Sequence, residues 1–362
     1  MTNMRRATLI FLLLAACLVG YAADKVMERA VSYPSIDQNN EPVLLSGLLS
    51  VPQGKTPRGI ILIPHFTISS VAESPSVKPT GEAKAFREDY VLVMPDYIGY
   101  GATADRVHPY LAGELTARNT VDMLLSVRPI LDSMALGISL DSIYIVGFSQ
   151  GGAAALWTLR LLEEQYADRI YVRRCFAGSG PYDVASTFDQ AVLTNHVTLP
   201  LTIPMLILGT SEAYGLNLQV DSLFTPAMVR YNAKYVASKQ YKGMQLFFRF
   251  PCRKATHWLT PYGMDKSRPE TSRFYSGMLR SSLVHYPIDG QASDSICPQW
   301  TPRTPVYVFH STRDDIVSFR NAEHLRRCYA SCPSFTWDFG NYGGHYRSVL
   351  TFFPRVKRLL EQ

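Results

Sequence analysis

The sequence predicts an α/β protein: a mainly parallel, doubly wound sheet carrying a large, mostly helical cap insertion. Three observations lead there. Short runs of β-branched and apolar residues alternate with helical patterns. One such run, Ile143-Tyr-Ile-Val-Gly-Phe148, passes straight into Ser149-Gln-Gly-Gly152 and then into helix-forming sequence. The alternation also stops between Tyr182 and Pro302 and afterwards resumes, as expected of a segment inserted over the C-terminal edge of a sheet, where ligands bind in this architecture.

Taken in order, the chain opens on a targeting segment. Arg5-Arg6 form a short positive region, and Ala7 to Val19 is apolar apart from Thr8 and Cys17. Leu14-Ala-Ala-Cys17 matches the bacterial lipobox, which makes Cys17 a lipidation candidate; Gly20-Tyr-Ala22 offers ordinary signal cleavage instead, and an uncleaved anchor is the third reading. Export is expected, to the cell envelope as a lipoprotein or as a secreted protein. Residues 1–23 are read as this signal, 24–182 and 303–362 as the core, and 183–302 as the cap.

Residues 26 to 51 read as two antiparallel strands around an Asp37-Gln-Asn-Asn40 turn. Gly59 to Ile63 and Tyr90 to Met94 are short buried strands, each ending at a proline, with helical patterns at Gly81 to Glu88 and Leu115 to Leu136. A strand at 142–147 precedes a helix from Ala153 to Glu164, and another strand follows at Ile170 to Ala177. Beyond the insertion come a strand at Thr304 to His310, a helix at Ser318 to Cys328, a strand at Ser334 to Phe339 and a terminal helix at His345 to Leu360.

With 47% hydrophobic and 18% charged residues, the chain is globular. Its formal charge of +6 falls to +4 once Arg5 and Arg6 are removed with the leader. No Lys/Arg run lies on a helix, so a nucleic-acid partner is not expected. No Cys/His cluster has metal spacing. Export permits disulfides: Cys252 with Cys297 and Cys328 with Cys332 are the pairings considered, with Cys175 as a buried thiol.

The chemistry centres on Ser149. In Gly147-Phe-Ser149-Gln-Gly151 the chain must reverse between strand and helix, which leaves the serine in a strained conformation above a helix N-terminus. A serine needs a base, and the base an orienting acid. In a strand–turn–helix hydrolase these follow in the order Ser, Asp or Glu, His. His310-Ser-Thr-Arg-Asp314-Asp-Ile-Val317 and Gly343-Gly-His345 satisfy that order, each leaving a strand end. Asp315 and Glu212 are rival acids. Pro204 to Glu212 looks like a strand ending in an acid loop, but is read as a cap helix because the acid's strand should directly precede the one leading to His345. His65, His108 and His310 read as loop-orienting hydrogen-bonders, since none follows the acid.

Together, Gly-Phe-Ser149-Gln-Gly, Pro95-Asp96-Tyr-Ile-Gly-Tyr-Gly101, the Asp314 segment and Gly-Gly-His345 resemble the α/β-hydrolase superfamily. Asp96-Tyr-Ile-Gly-Tyr-Gly, His108-Pro-Tyr-Leu111 and Ala177-Gly-Ser-Gly-Pro-Tyr182 are similar to the secretory-lipase-like esterases, and the Asp314 segment is also similar to the prolyl-oligopeptidase branch. The resemblance implies the α/β-hydrolase fold, with Ser149 as nucleophile, His345 as base then acid, and Asp314 as the group that holds the imidazole. It implies an oxyanion hole of backbone amides: Gln150, and Phe66 or Thr67, where His65-Phe66 stands in place of the usual His-Gly. No cofactor or metal is implied. The expected activity is hydrolysis of a small-molecule, lipid or glycan ester through an acyl-enzyme. A prolyl-oligopeptidase-type peptidase, a polysaccharide acyl or feruloyl esterase, and a catalytically silent binding module using the cap groove are the alternatives. Membrane contact is expected only through an N-terminal lipid on Cys17.

Overall fold

The computed structural model describes residues 25–139, 142–287 and 295–362; the expected leader and Cys17 lie outside the described residues. Eight strands form one sheet in the order β1-β2-β4-β3-β5-β6-β7-β8. β1 (Val26–Ile36) and β2 (Pro42–Pro52) form an antiparallel hairpin. At its turn, Asp37 Oδ1 accepts from the Asn39 and Glu41 amides at 2.9 and 3.1 Å while Asn40 takes a φ of 62°, the self-bonded turn that Asp and Asn favour. β2 runs antiparallel to β4 (Val91–Pro95). From there β3 (Ile60–Leu62), β5 (Ser142–Phe148), β6 (Tyr171–Gly178), β7 (Val306–Ser311) and β8 (Phe335–Gly340) are parallel.

The central strands have no polar face because both sides are covered. Alternate residues go to opposite layers. Ile60, Leu62, Val91, Val93, Val306 and Val308 pack with α1 (Gly113–Ser133), α2 (Gln150–Gln165) and Leu325. Ile61, Leu92, Met94, Tyr307 and Phe309 pack with Phe86 and with Phe352 and Phe353. Those two phenylalanines lie on the terminal helix α12 (His345–Glu361), and Leu325 on α11 (Arg320–Cys328), these labels counting the intervening helices of the insertion.

Between β6 and β7 the chain runs through α3 (Val184–Leu193), α4 (Thr202–Tyr214), α5 (Val220–Leu223), α6 (Pro226–Tyr231), a π-turn at Asn232–Val236, α7 (Gly243–Phe247), α8 (Ala255–Trp258), α9 (Pro261–Met264) and α10 (Pro269–Ser281). This insertion has its own apolar cluster, including Phe188, Leu206, Met228, Trp258 and Phe274. Pro204 to Glu212 is helical, within α4.

Two local expectations are corrected. Gly81 to Glu88 holds a single 3₁₀ turn, Ala83–Ala85, rather than a helix. So short a segment does not repay helix nucleation, and Glu82 turns its carboxyl inward to bond the Phe66 amide. The disulfide joins Cys297 to Cys328, with Cα atoms 5.4 Å apart, and leaves Cys252 and Cys332 free. Its cause is tertiary. Buried Asp183 holds His285 Nδ1 at 2.9 Å, the Tyr286 amide at 3.0 Å and, on α11, His324 Nδ1 at 2.7 Å. His285 pairs with Ile296, so Cys297 arrives beside the end of α11. Cys175 is a buried thiol.

Candidate active site

The chain leaves β5 at Phe148 and enters α2 at Gln150, so one residue makes the reversal. Ser149 adopts φ 59° and ψ −125°, a region costly for a residue with a Cβ. Its amide is tied to the Gly178 carbonyl at 2.8 Å. The flanking glycines are required by contact. A Cβ on Gly147 would lie 2.0 Å from the Gly151 oxygen, and one on Gly151 would lie 2.1 Å from the Pro64 oxygen. The turn is therefore wedged against the loop that follows β3.

Ser149 Oγ lies 2.9 Å from His345 Nε2, and His345 Nδ1 lies 2.7 Å from Asp314 Oδ2. With Nδ1–H donating to the carboxylate, Nε2 is left as the acceptor of the serine proton. His345 is the first residue of α12 and is buried against the Phe148 ring, 5.0 Å between centroids. Asp314 is held at its other oxygen by the Ile316 and Val317 amides at 3.1 and 2.8 Å. Burial alone would push its carboxyl up; the His345 charge and hydrogen bond, His310 and the Val317 amide outweigh it and hold the group below the usual carboxylate range.

The rival acids are elsewhere. Asp315 Oδ1 accepts from the His345 amide at 2.8 Å, and so caps the start of α12 rather than meeting the imidazole. Glu212, on α4, accepts from Gln38 Nε2 at 2.5 Å. The other histidines singled out from sequence, His65, His108 and His310, bond to backbone. His310 Nε2 donates to the Val317 carbonyl at 3.0 Å and His65 Nδ1 lies 2.6 Å from the Phe66 carbonyl. His108 donates from Nδ1 to the Ile98 carbonyl at 2.7 Å and accepts at Nε2 from Gln150 Nε2 at 2.9 Å. Burial drives its pKa down to about 3, so the neutral ring can serve as that acceptor.

Of the amides expected at an oxyanion hole, Gln150 opens α2 directly after Ser149, where the positive end of the helix dipole lies. The Phe66 amide is already donated to Glu82 Oε1 at 3.0 Å, which removes it and leaves Thr67. Thr67 borders the cavity in front of Ser149, with its Oγ1 2.8 Å from the Tyr110 hydroxyl. Glu82 and Tyr110 were not singled out from sequence. Tyr110 stands inside the His108-Pro-Tyr-Leu motif, whereas Glu82 sits in an ordinary polar stretch that carries no signal.

The cavity has a volume of about 550 Å³ and runs from Ser149 and His345 into the insertion, between α3 and α4. Val184, Phe188, Leu199, Ile203 and Leu206 give it an apolar wall. Most other insertion aromatics, among them Phe224, Trp258 and Phe274, pack in the insertion's core. Among the described residues no cluster of His, Cys, Asp and Glu could hold a metal.

No family model matches the chain. It is 25% identical over 271 residues to the secreted triacylglycerol lipase LIP5 of Malassezia furfur, spanning 74% of this chain and 64% of that one; the match thus covers less than two thirds of the curated relative. Among solved structures it is similar to the rice cell wall degrading esterase LipA of Xanthomonas oryzae, with a TM-score of 0.78 at 20% identity over 93% of this chain and 90% of that one. Candida antarctica lipase A in its closed state gives a TM-score of 0.65 at 14% identity, over 94% and 79%. The chain has the α/β-hydrolase fold and is similar to lipases and esterases.

Proposed function

We propose that the protein is an exported serine hydrolase that cleaves carboxylic esters through an acyl-enzyme. The observation that carries this is the hydrogen-bonded relay from Ser149 through His345 to Asp314, set at the end of an apolar cavity. Ser149 Oγ attacks the ester carbonyl carbon as its proton passes to His345 Nε2, and the imidazolium formed is stabilised by Asp314. The oxyanion rests on the Gln150 amide, with Thr67 as the second donor; loss of one such donor raises the barrier by roughly 3–4 kcal/mol in another hydrolase. Collapse expels the alcohol, which takes the proton from Nε2. Water then attacks the acyl-serine with His345 as base. The cavity wall suits an acyl chain, since apolar surface removed from water contributes about 25 cal/mol per Å². No step calls on a cofactor. Export follows the secreted relative and the apolar N-terminus, and no helix among the described residues is long and apolar enough to cross a membrane.

A fluorophosphonate probe tests the nucleophile: it labels the wild type and not Ser149→Ala. A series of p-nitrophenyl esters from acetyl to palmitoyl, set beside an aminoacyl anilide, tests the substrate class. Labelling that persists in Ser149→Ala moves the nucleophile, and turnover confined to the anilide replaces the esterase reading with a peptidase.

A further inference from the structure

The insertion carries a run without a carboxylate. Between Asp221 and Asp265 the chain has seven basic residues and no acidic one, so this stretch alone exceeds the +6 of the whole chain. Lys239 is committed to structure, donating to the Gly99, Ala104 and Arg106 carbonyls. Arg230, Lys234, Lys242, Arg249, Arg253 and Lys254 are exposed, and none forms an ion pair among the described residues.

These cations are interleaved with rings that touch one another. Tyr231 meets Tyr235 and Phe250, Tyr235 meets Tyr241, Phe250 meets Phe247, and Phe247 meets Phe248. Lys234 sits over Tyr235, Arg249 over Tyr241 and Arg253 over Phe247. The ridge reaches the cavity: Phe247 packs edge-on against Tyr346, a cavity residue beside His345, at 6.0 Å. Its outer apolar groups are bare. Phe248 is 78% exposed, Met244 55%, and on α12 Tyr346 and Leu350, one turn apart, are 44% and 75%. Two carboxylates act on Tyr346, Asp315 and then Glu73; Asp315 Oδ1 is taken by the His345 amide and Glu73 Oε2 by the Ser69 and Ser70 amides.

Single exposed apolar side chains are ordinary, as Tyr171 and Leu193 are here, but bare apolar groups continuous with a ring cluster are rare on a monomeric surface and mark interaction sites. Cations alone would suit any polyanion, but cations around bare apolar side chains match the boundary between lipid headgroups and acyl chains, where basic side chains meet phosphate and apolar ones enter below them. We propose that this ridge docks the protein on an anionic lipid surface, beside the opening of the cavity. The inference is independent of what chemistry the cavity performs.

The test is co-sedimentation of the full chain with vesicles of phosphatidylcholine alone or mixed with phosphatidylglycerol. The N-terminal segment, with Arg5 and Arg6, is present in the wild type and in both variants, so the comparison among them on one vesicle type cancels its contribution. The wild type partitions more strongly to the mixed vesicles, and rising salt weakens it. Lys242→Glu/Arg249→Glu/Arg253→Glu/Lys254→Glu lowers partitioning to the mixed vesicles by roughly 100-fold or more. Met244→Ser/Phe248→Ser lowers it several-fold and leaves the salt dependence in place. Unchanged melting temperatures in both variants separate these effects from unfolding. Equal partitioning of the wild type to both vesicle types overturns the proposal. So does vesicle partitioning that Met244→Ser/Phe248→Ser leaves unchanged while the four cations are needed for vesicles and heparin alike, which would make a soluble polyanion the partner.

Discussion

Replacing Glu82 with Gln should make the protein more stable at alkaline pH and leave it nearly unchanged at acid pH. Glu82 is fully buried, with hydrogen bonds from the Phe66 amide and the Thr80 hydroxyl and no cationic partner among the described residues. Burial lifts its pKa from 4.5 to about 8, against the smaller opposing pull of those two bonds. A folded-state pKa above the unfolded one means that the unfolded chain gives up the proton first. Stability is therefore lost as pH rises from about 4.5 to about 8, and then levels off. The span of that loss is at most about 5 kcal/mol. For a chain of this length it corresponds to about 6 °C in melting temperature. Gln keeps an acceptor for the Phe66 amide and cannot ionise, so it escapes the loss. The assay is thermal unfolding of wild type and Glu82→Gln at pH 4.5 and pH 8.5, taking the change in their difference so that any fixed packing offset cancels. A difference in melting temperature that is the same at both pH values refutes the reasoning.

Three further outcomes are expected. Asp314→Asn should lower kcat on a p-nitrophenyl ester by about 10⁴, as loss of the orienting acid does elsewhere, whereas Asp315→Asn, which retains an acceptor for the His345 amide, should stay within about 10-fold of wild type; equal losses would reassign the acid. Gly151→Ala should abolish turnover and lower the melting temperature, because the added Cβ would lie 2.1 Å from the Pro64 oxygen and overpacking costs about 1–3 kcal/mol or more. Cys297→Ser should lower stability by about 4 kcal/mol on the chain-entropy account of a cross-link, given the 31-residue separation; a melt insensitive to reductant in the wild type would contradict it.

The parts legible in sequence were those where the side chain itself carries the information. Ile60 to Leu62 and Val91 to Pro95 read as doubly covered strands because every residue in them is buried. Ser149, Asp314 and His345 were readable as a set because each lies where a strand ends, and parallel strands bring such ends to one edge. What stayed hidden depends on backbone atoms or distant packing. The Phe66 amide looks like any other until Glu82, sixteen residues on, is seen to occupy it. The cross-link was mispaired because spacing between cysteines says nothing of Asp183, which draws His285 and α11 together. The run at Gly81 to Glu88 misled because a helical pattern this short has no energy of its own to enforce it.

Asp183 also governs how the fold can be altered. It holds the Ser186 amide at 2.9 Å where the helical excursion begins and the Tyr286 amide where it returns, and the Tyr182 carbonyl accepts from both Leu283 and Val284. The excursion therefore leaves and rejoins the sheet at one post. A cassette with adjoining ends can be exchanged for another of different length without moving the strands on either side. The wall of the cavity can then be reshaped while Ser149, His345 and Asp314 stay where they are.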